Sequence, residues 1–516
     1  MPFFSQYFTA FDYTLSLPMV LLTLFALGVL LIDLMLPAEW KRLNAVTALL
    51  GLAFAAVALF WRIQEPYRAA QANGIPLYRF TRGFGGTIAM DSFAIYFFYL
   101  FLAGGAITIL TSVRYLDIEK ENHGEFYALI LLSLVGMMGM ACGTDLIMLF
   151  ISLELMAIST YVLVGFLRRD RRSNEASLKY LLLGAFSSGI FAYGLSLLYG
   201  LTGSTRLSQI AAVLNARMMT QSTDPILVLA LITTATGLLF KVAAVPFHQW
   251  APDAYEGAPT SITGFMSVAG KAAAWALLLR VFLWGINPLR PLYLPLLVFV
   301  AIATMTGGNL AALTQTNLKR LFAYSSIAHV GYMLLGLIAG DRQSASADGI
   351  KGILIYLLVY TFMNLGVFAV ITSLRRREII GDELKDISGL WFKAPTEAVL
   401  MMIFLLSLAG IPPLAGFYGK YFIFLSLIET GHYALASLAV VYVAVALYYY
   451  IKVVNAMFMR PAADTVPVSL SFSMITALGI TSLATVGIGL YPDPFIRAVN
   501  WSLNLAQYSP VAQLMR

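Results

Sequence analysis

Four ionisable side chains of this 516-residue chain stand inside apolar runs. Glu154 interrupts "LIMLFISLELMAISTYVLVGF" and Lys241 interrupts "TGLLFKVAAV". Lys271 lies in "SVAGKAAAWALLL" and Lys420 in "GFYGKYFIF". If these runs cross a bilayer, a charge at the centre of each costs about 2.5–3.5 kcal/mol, and four unpaired charges cost roughly 10–14 kcal/mol. Such groups must face the protein interior and find partners or water. A carboxylate about 4 Å from a lysine contributes on the order of 4 kcal/mol at an effective dielectric near 20. Making or breaking that contact is enough to decide whether the lysine keeps its proton. The chemistry these residue types offer at that depth is proton transfer. A purely structural ion pair is the weaker account, because a buried pair gives little net stability.

Three further residues join the candidate set. Lys179 starts its apolar run beside a basic loop, within reach of the surface by snorkelling. His248 lies between two prolines in "VPFHQWAPD", and His329 lies in "YSSIAHVGYM". The candidate relay residues are therefore Glu154, Lys179, Lys241, Lys271 and Lys420, followed by His248 and His329. Asp33 is expected near an interface, and His123 and His432 in solvated loops. The single cysteine, Cys142, cannot form an internal disulfide or hold a cluster by itself, so it reads as a small buried residue. No metal or cofactor site is expected on this chain.

The elements that must position these groups are membrane helices. Apolar residues make up 60% of the chain and charged ones only 11%, far from the composition of a soluble domain. The apolar residues fall in blocks of about 20, the length that crosses a bilayer core. Strands of a barrel would be shorter and would alternate in polarity. The fold expected is an all-α polytopic membrane protein with about 14 transmembrane helices. Expected spans are 17–36, 43–62, 92–112, 125–142, 145–167, 174–201, 225–257, 259–284, 291–313, 320–340, 350–374, 396–428, 433–457 and 467–491. The tail from Pro492 is expected along the surface. The net charge of +7 comes from basic loops such as "RRDRR", Arg168 to Arg172, and Arg375 to Arg377, and does not point to nucleic acid. Basic loops face the cytoplasm, which places both termini outside it, in the bacterial inner membrane. The N-terminus lacks the basic start of a cleaved signal peptide, so the first span is expected to remain as an anchor. "GFGG", Gly83 to Gly86, has no strand–helix context and reads as a turn.

Two spans are unusual. Residues 225–257 contain Pro246 and Pro252, and residues 396–428 contain Pro412 and Pro413. Proline removes a donor and breaks a helix, and in lipid the freed carbonyls require protein or water. Pro246 and Pro413 are 167 residues apart, as are the starts of the fourth and ninth spans. This predicts two inverted five-helix repeats, each containing a broken helix, at 125–290 and 291–457. They are flanked by a three-span segment, 1–124, and a C-terminal span and tail, 458–516. Broken helices at matching positions of inverted halves point to a transport site near the midplane.

The segment "FKVAAVPFHQWAPDAYEGAPT" resembles the signature of the proton-antiporter-like membrane subunits of respiratory complex I, membrane hydrogenases and Mrp-type cation/proton antiporters. "LELMAISTYVLVGF", "TNLKRLFAYSSIAHVGYML", "YTFMNLGVFAV" and "PPLAGFYGKYFIF" are similar to the N-type branch found in bacterial NADH:quinone oxidoreductase. The resemblance runs from about the third span to the thirteenth. It implies fourteen spans and a mid-membrane chain of polar residues, onto which Glu154, Lys179, Lys241, Lys271 and Lys420 map. It leaves the roles of His248 and His329 open. It also implies partner subunits of the membrane and peripheral arms, with FMN and iron–sulfur clusters in those partners and quinone as substrate of the assembly. A cation/proton antiporter or membrane hydrogenase subunit and a passive scaffold are the competing readings. The two break lysines do not superimpose, since Lys241 precedes its proline whereas Lys420 follows Pro413. With the deduced topology, Lys420 is expected nearer the outer face and Lys241 at the centre.

Overall fold

A computed structural model describes residues 10–73, 82–219, 224–340, 348–375, 381–462 and 470–504. Arg376 and Arg377 of the second basic loop, the first nine residues and the last twelve lie outside the described residues.

The chain is a bundle of long apolar helices. It begins with α1 (Ala10–Met35), α2 (Leu43–Asn73), α3 (Ser92–Glu119), α4 (Gly124–Cys142), α5 (Leu146–Val164) and α6 (Arg171–Thr202). A short helix that the sequence reading missed, α7 (Leu207–Met219), leads to α8 (Pro225–Val242) and α9 (Trp250–Gly257), the two halves of the first broken span. The next span is α10 (Thr260–Phe265) and α11 (Lys271–Arg280), joined by a π-helical turn, Met266–Gly270. It is followed by α12 (Arg290–Thr314), α13 (Leu318–Ala339) and α14 (Asp348–Ser373). A one-turn helix, α15 (Leu390–Lys393), precedes the second broken span, α16 (Pro395–Ala409) and α17 (Gly416–Glu429). The chain closes with α18 (Tyr433–Met459), α19 (Phe472–Leu490) and α20 (Asp493–Asn504).

Thirteen helices among the described residues are long and apolar enough to cross a membrane. The expected span 396–428 is not one of them, because it is split into α16 and α17, each too short. The helix starts follow from local chemistry. Asp91, Asp145 and Asp224 accept hydrogen bonds from Ala94, Ile147 and Ile226 backbone N–H at 2.9 Å each, satisfying donors a helix start leaves free. Asn317 does the same for Arg320 at 3.1 Å. "GFGG" forms the tip of a small hairpin, Arg82–Gly83 paired with Ile88–Ala89, with Gly85 and Gly86 at positive φ. The tail helix α20 is docked rather than free: Val499 and Ser502 are buried, and Ser92 Oγ donates to the Ser502 carbonyl at 2.8 Å.

Both broken spans stop in the same manner. The first half ends on a residue in the left-handed region, Ala243 (φ 61) in one and Gly410 (φ 88) in the other, and a cis proline peptide follows at Pro246 and at Pro413. Ala243 and Gly410 are separated by the same 167 residues as the two prolines. The deepest helices are those of the eighth, tenth and eleventh spans. In the apolar stretches of Thr260–Gly285 and Leu318–Ala339, 94% of residues are buried, against 28% in that of Tyr433–Met459. Any buried polar chain must therefore run through α10–α11, α13 and α14.

Candidate functional site

Lys241, Lys271, Lys420 and His329 are all buried, at 6%, 2%, 5% and 2% exposure. Lys241 ends the last turn of α8. Its Nζ sits 3.4 Å from the Tyr161 hydroxyl and 5.7 Å from the centre of that ring. Tyr161 packs edge-on to Tyr180, and Tyr180 stacks on Trp250 with centroids 4.6 Å apart. Trp250 Nε1 donates to the Phe240 carbonyl at 2.9 Å. The indole N–H is thus satisfied at the end of α8 by a carbonyl that also accepts from Ala243 N–H at 2.9 Å.

Lys271 follows the π-helical turn and donates to Ser326 Oγ on α13. One turn further along α13, His329 is hydrogen-bonded at both ring nitrogens, Nδ1 with Tyr356 Oη at 2.5 Å and Nε2 with Tyr450 Oη at 2.9 Å. Tyr450 also shares a hydrogen bond with Ser325 at 2.5 Å. His329 lies within electrostatic reach of both Lys271 and Lys420. Lys420 Nζ donates to the carbonyls of Leu408 and Ala409, at 2.8 and 2.7 Å, and lies 5.5 Å from the centre of the Tyr332 ring. Tyr332 is tied through Asn309 to Tyr449, at 3.3 Å on each side. One helix, α13, therefore carries Ser325, Ser326, His329 and Tyr332, and these bridge from the lysine of the eighth span towards the second break.

Lys420 follows Pro413 by seven residues, and its ammonium reaches back to the carbonyl end of α16. Helical side chains lean towards the N-terminus of their helix, which returns a long one to the preceding break. The ammonium there meets the negative end of the α16 dipole.

Glu154 is partly buried, and its Oε1 is enclosed without a hydrogen-bond partner. The expected contact pair with a lysine is absent: no cation among the described residues stands within 4.0 Å of this carboxylate. Lys241 and Tyr161 nevertheless feel its charge through space. Lys179 does not join the buried chain. It is 48% exposed and pairs with Glu175 at 2.9 Å and Asp253 at 3.2 Å. His248 lies in the first break, half-buried, with its Nδ1 unpartnered.

Sequence reasoning missed two buried ion pairs. Arg280 grips Asp91 with two guanidinium nitrogens, at 2.7 and 2.6 Å, and donates to the Ala141 carbonyl at 2.8 Å. Lys319 pairs with Asp382 at 3.4 Å. Each charge sits at or near the end of its apolar run, where sequence alone reads it as interfacial. Cys142 is free and buried, as expected. His123 pairs with Glu121 at 3.3 Å, and Asp33 pairs with Lys41 at 2.9 Å. Among the described residues no group of His, Cys, Asp and Glu could hold a metal ion.

A bundle with two proline-broken spans and a chain of buried amines, imidazole and hydroxyls between them defines a multi-pass, ion-translocating membrane subunit of the antiporter type. Residues 143–446 match the family model described as NADH:quinone oxidoreductase/Mrp antiporter, transmembrane. The chain is 64% identical to NADH-quinone oxidoreductase subunit N 1 of Koribacter versatilis over 98% of both chains. It is 53% identical to subunit N 2 of Solibacter usitatus, over 97% of this chain and 99% of that one. The chain belongs to the NADH-quinone oxidoreductase subunit N family.

Among solved structures, a chain of respiratory complex I from Thermus thermophilus with bound aureothin superposes with a TM-score of 0.75 at 32% identity, over 93% of this chain and 99% of that one. A chain of the archaeal membrane-bound sulfane sulfur reductase gives 0.82 at 24% identity, over 96% of this chain and 99% of that one. A chain of the Mrp complex from Dietzia gives 0.76 at 22%, over 96% and 98%. The last two share the fold alone. Backbone geometry does not separate the redox-driven from the antiporter branch, whereas residue identity does.

Proposed function

We propose that this chain is the N-type membrane subunit of a bacterial NADH:quinone oxidoreductase and moves protons across the membrane along Glu154, Lys241, Lys271, His329 and Lys420. The observation that carries this reading is the run of buried polar side chains on α13, from Ser326, which accepts from Lys271, through the doubly hydrogen-bonded His329 to Tyr332 beside Lys420. The chain is a non-redox member of the translocase. FMN and iron–sulfur clusters reside in partner subunits, where electrons pass to quinone. Both termini face away from the cytoplasm. Residues 125–290 and 291–457 are inverted repeats, a reading supported by the matched ends of the two broken spans.

In this scheme a charge on a neighbouring subunit shifts Glu154, which alters the field at Lys241. A proton released there passes by way of Lys271 and His329 to Lys420, which serves the outer side. The membrane potential opposes outward transfer by about 2.3 kcal/mol per charge per 100 mV. A carboxylate about 8 Å from an amine exerts on the order of 2 kcal/mol at an effective dielectric near 20, comparable to that opposing term. Lys179 belongs to the mouth of the path rather than to its buried part, and His248 lines the first break.

The test is NADH-driven pumping by the intact assembly carrying Glu154→Gln or Lys241→Ala. Loss of pumping at normal assembly is expected. Unchanged pumping would favour a scaffold. Purification of the native assembly with flavin and iron–sulfur subunits is expected, and an assembly lacking them would favour an antiporter.

A further inference from the structure

Lys271 opens α11, and α11 has a π-helical turn at each end, Met266–Gly270 before it and Val281–Gly285 after it. Two such turns isolate a ten-residue segment whose rotation about its axis is set separately from the helices on either side. The far end of this segment is fixed. Arg280 holds Asp91 with two guanidinium nitrogens, donates to the Ala141 carbonyl and lies 4.7 and 5.1 Å from the ring centres of Phe93 and Trp284. The preceding helix, α10, takes its register from elsewhere, since Thr263 Oγ1 donates to the Tyr255 carbonyl of α9 at 2.8 Å. The turn Met266–Gly270 is where the two registers meet. One residue added to a helix rotates all that follows by about 100°, so this turn decides where the Lys271 ammonium points.

That turn is gripped from α14. Its one polar side chain is Ser267. Ser267 Oγ donates to the Gly264 carbonyl at 2.8 Å and accepts from Asn364 Nδ2 at 2.7 Å. Both residues are buried, Ser267 at 0% and Asn364 at 1% exposure. Gly264 lets α14 come close, because a Cβ there would stand 3.1 Å from that of Phe368, one turn beyond Asn364. The same stripe of α14 runs back through Tyr360 and Tyr356 at four-residue intervals. Tyr356 is hydrogen-bonded to His329. The Tyr360 ring lies 5.3 Å from that imidazole and beside Ser326, the partner of Lys271. One face of α14 therefore meets both the turn that aims Lys271 and the groups that surround its partner.

We propose that Asn364 is a positioning residue for proton transfer at Lys271: by holding Ser267 it keeps the extra residue in the π-helical turn, and that turn keeps the Lys271 ammonium on Ser326. The proposal rests on the proton-pumping reading above. Asn364 acts through Ser267 and does not itself carry the proton. A single hydrogen bond between membrane helices contributes little to stability, so fold maintenance is a weak reason for a polar pair at this depth. A turn relaxed to ordinary α-helical winding would rotate Lys271 by about 100° and take its ammonium off Ser326. Displacing a reacting group by about 1 Å already slows its reaction about 100-fold. Because Tyr356 shares the stripe with Asn364, a movement of α14 reaches the Lys271 and His329 contacts together.

The experiment uses the whole assembly in inside-out membrane vesicles. NADH-driven pumping is measured in H2O and in D2O for Asn364→Leu and for the double variant Asn364→Leu/Ser267→Ala. Leucine is close in size to asparagine, and Ser267 keeps its bond to Gly264 in the single variant. Both variants are expected to assemble at the wild-type level and to pump at least tenfold slower. Their H2O-to-D2O rate ratio is expected to rise above that of wild type, because a misaligned proton step becomes the slow one. A cryo-EM map of the Asn364→Leu assembly is expected to show the Lys271 ammonium away from Ser326. Pumping within twofold of wild type overturns the proposal. So does a loss of pumping with an unchanged isotope ratio, or with Lys271 still on Ser326, since either reduces the pair to a structural brace. If Asn364→Leu does not assemble, the double variant, which leaves no donor of the pair without an acceptor, decides alone. Lys271→Ala in the same vesicles separates the two claims. With that variant inactive, normal pumping by Asn364→Leu overturns the positioning role only. Normal pumping by Lys271→Ala overturns the relay and the positioning role with it.

Discussion

Replacing Lys420 by arginine separates the helix-capping contact of its ammonium group from the relay role proposed for it. Its Nζ closes the carbonyl end of α16 through two hydrogen bonds to Leu408 and Ala409. In the relay it must also give up a proton. Arginine supplies donors and charge for the first role but resists the second. Its reference pKa exceeds that of lysine by about 2–3 units, so deprotonation costs about 3–4 kcal/mol more and transfer slows about 100- to 1000-fold. Lys420→Met removes both roles. Two carbonyls then lose their partners at about 1–3 kcal/mol each, a destabilisation of about 2–6 kcal/mol. Thermal unfolding of the purified assembly reads the cap, and NADH-driven pumping in proteoliposomes reads the relay. Lys420→Arg is expected to assemble with near-normal stability and pump at least tenfold slower. Lys420→Met is expected to lose both. Pumping by the arginine variant within twofold of wild type would show that residue 420 need not release a proton, and would leave it a helix cap.

Other outcomes follow from the same geometry. Gly184→Ala places a methyl against the Tyr161 hydroxyl, so Tyr161 must move away from Lys241; pumping should fall at least threefold while Gly189→Ala, in open space, changes nothing. Arg280→Met leaves Asp91 charged and unpaired at a site where Arg280 is 1% exposed; breaking such a pair costs about 3–5 kcal/mol, read as a lowered melting temperature or failed assembly. Lys179→Ala removes partly solvated pairs worth about 0–1 kcal/mol, so its pumping defect should be smaller than that of Lys241→Ala in the same vesicle assay.

The spans were legible because a bilayer allows few backbone solutions, and length with apolarity identifies most of them. The breaks were legible for a local reason: proline cannot continue a helix. What sequence could not give is set by side-chain reach. Lys420 was placed by its Cα beyond the break, but its flexible stem carries the charge back to Ala409. Lys179 was read with the buried lysines through its resemblance, yet Glu175 one turn before it and Asp253 from α9 hold it at the surface. The tyrosines hydrogen-bonded to His329, Tyr356 and Tyr450, come from two different helices and look like ordinary core aromatics in the sequence. The π-helical turn before Lys271 has no proline to announce it. Arg280 was passed over because it ends an apolar run, where an interfacial arginine is unremarked, and Asp91 lies far away in the chain.

The ring of His329, held at both nitrogens by tyrosine hydroxyls, gives the central link a sense of direction. A neutral imidazole has one nitrogen that donates and one that accepts. With Tyr356 and Tyr450 on its two sides, one hydroxyl must point its hydrogen at the ring and the other must receive the ring's. A proton taken up on one side and lost on the other leaves every hydrogen in this trio facing the opposite way. The trio cannot carry a second proton along the same route until those hydrogens have swung back. On the proposed route the link would behave as a ratchet tooth recocked once per passage, so traffic through it would be single-file, and the recocking interval would set an upper limit on its throughput.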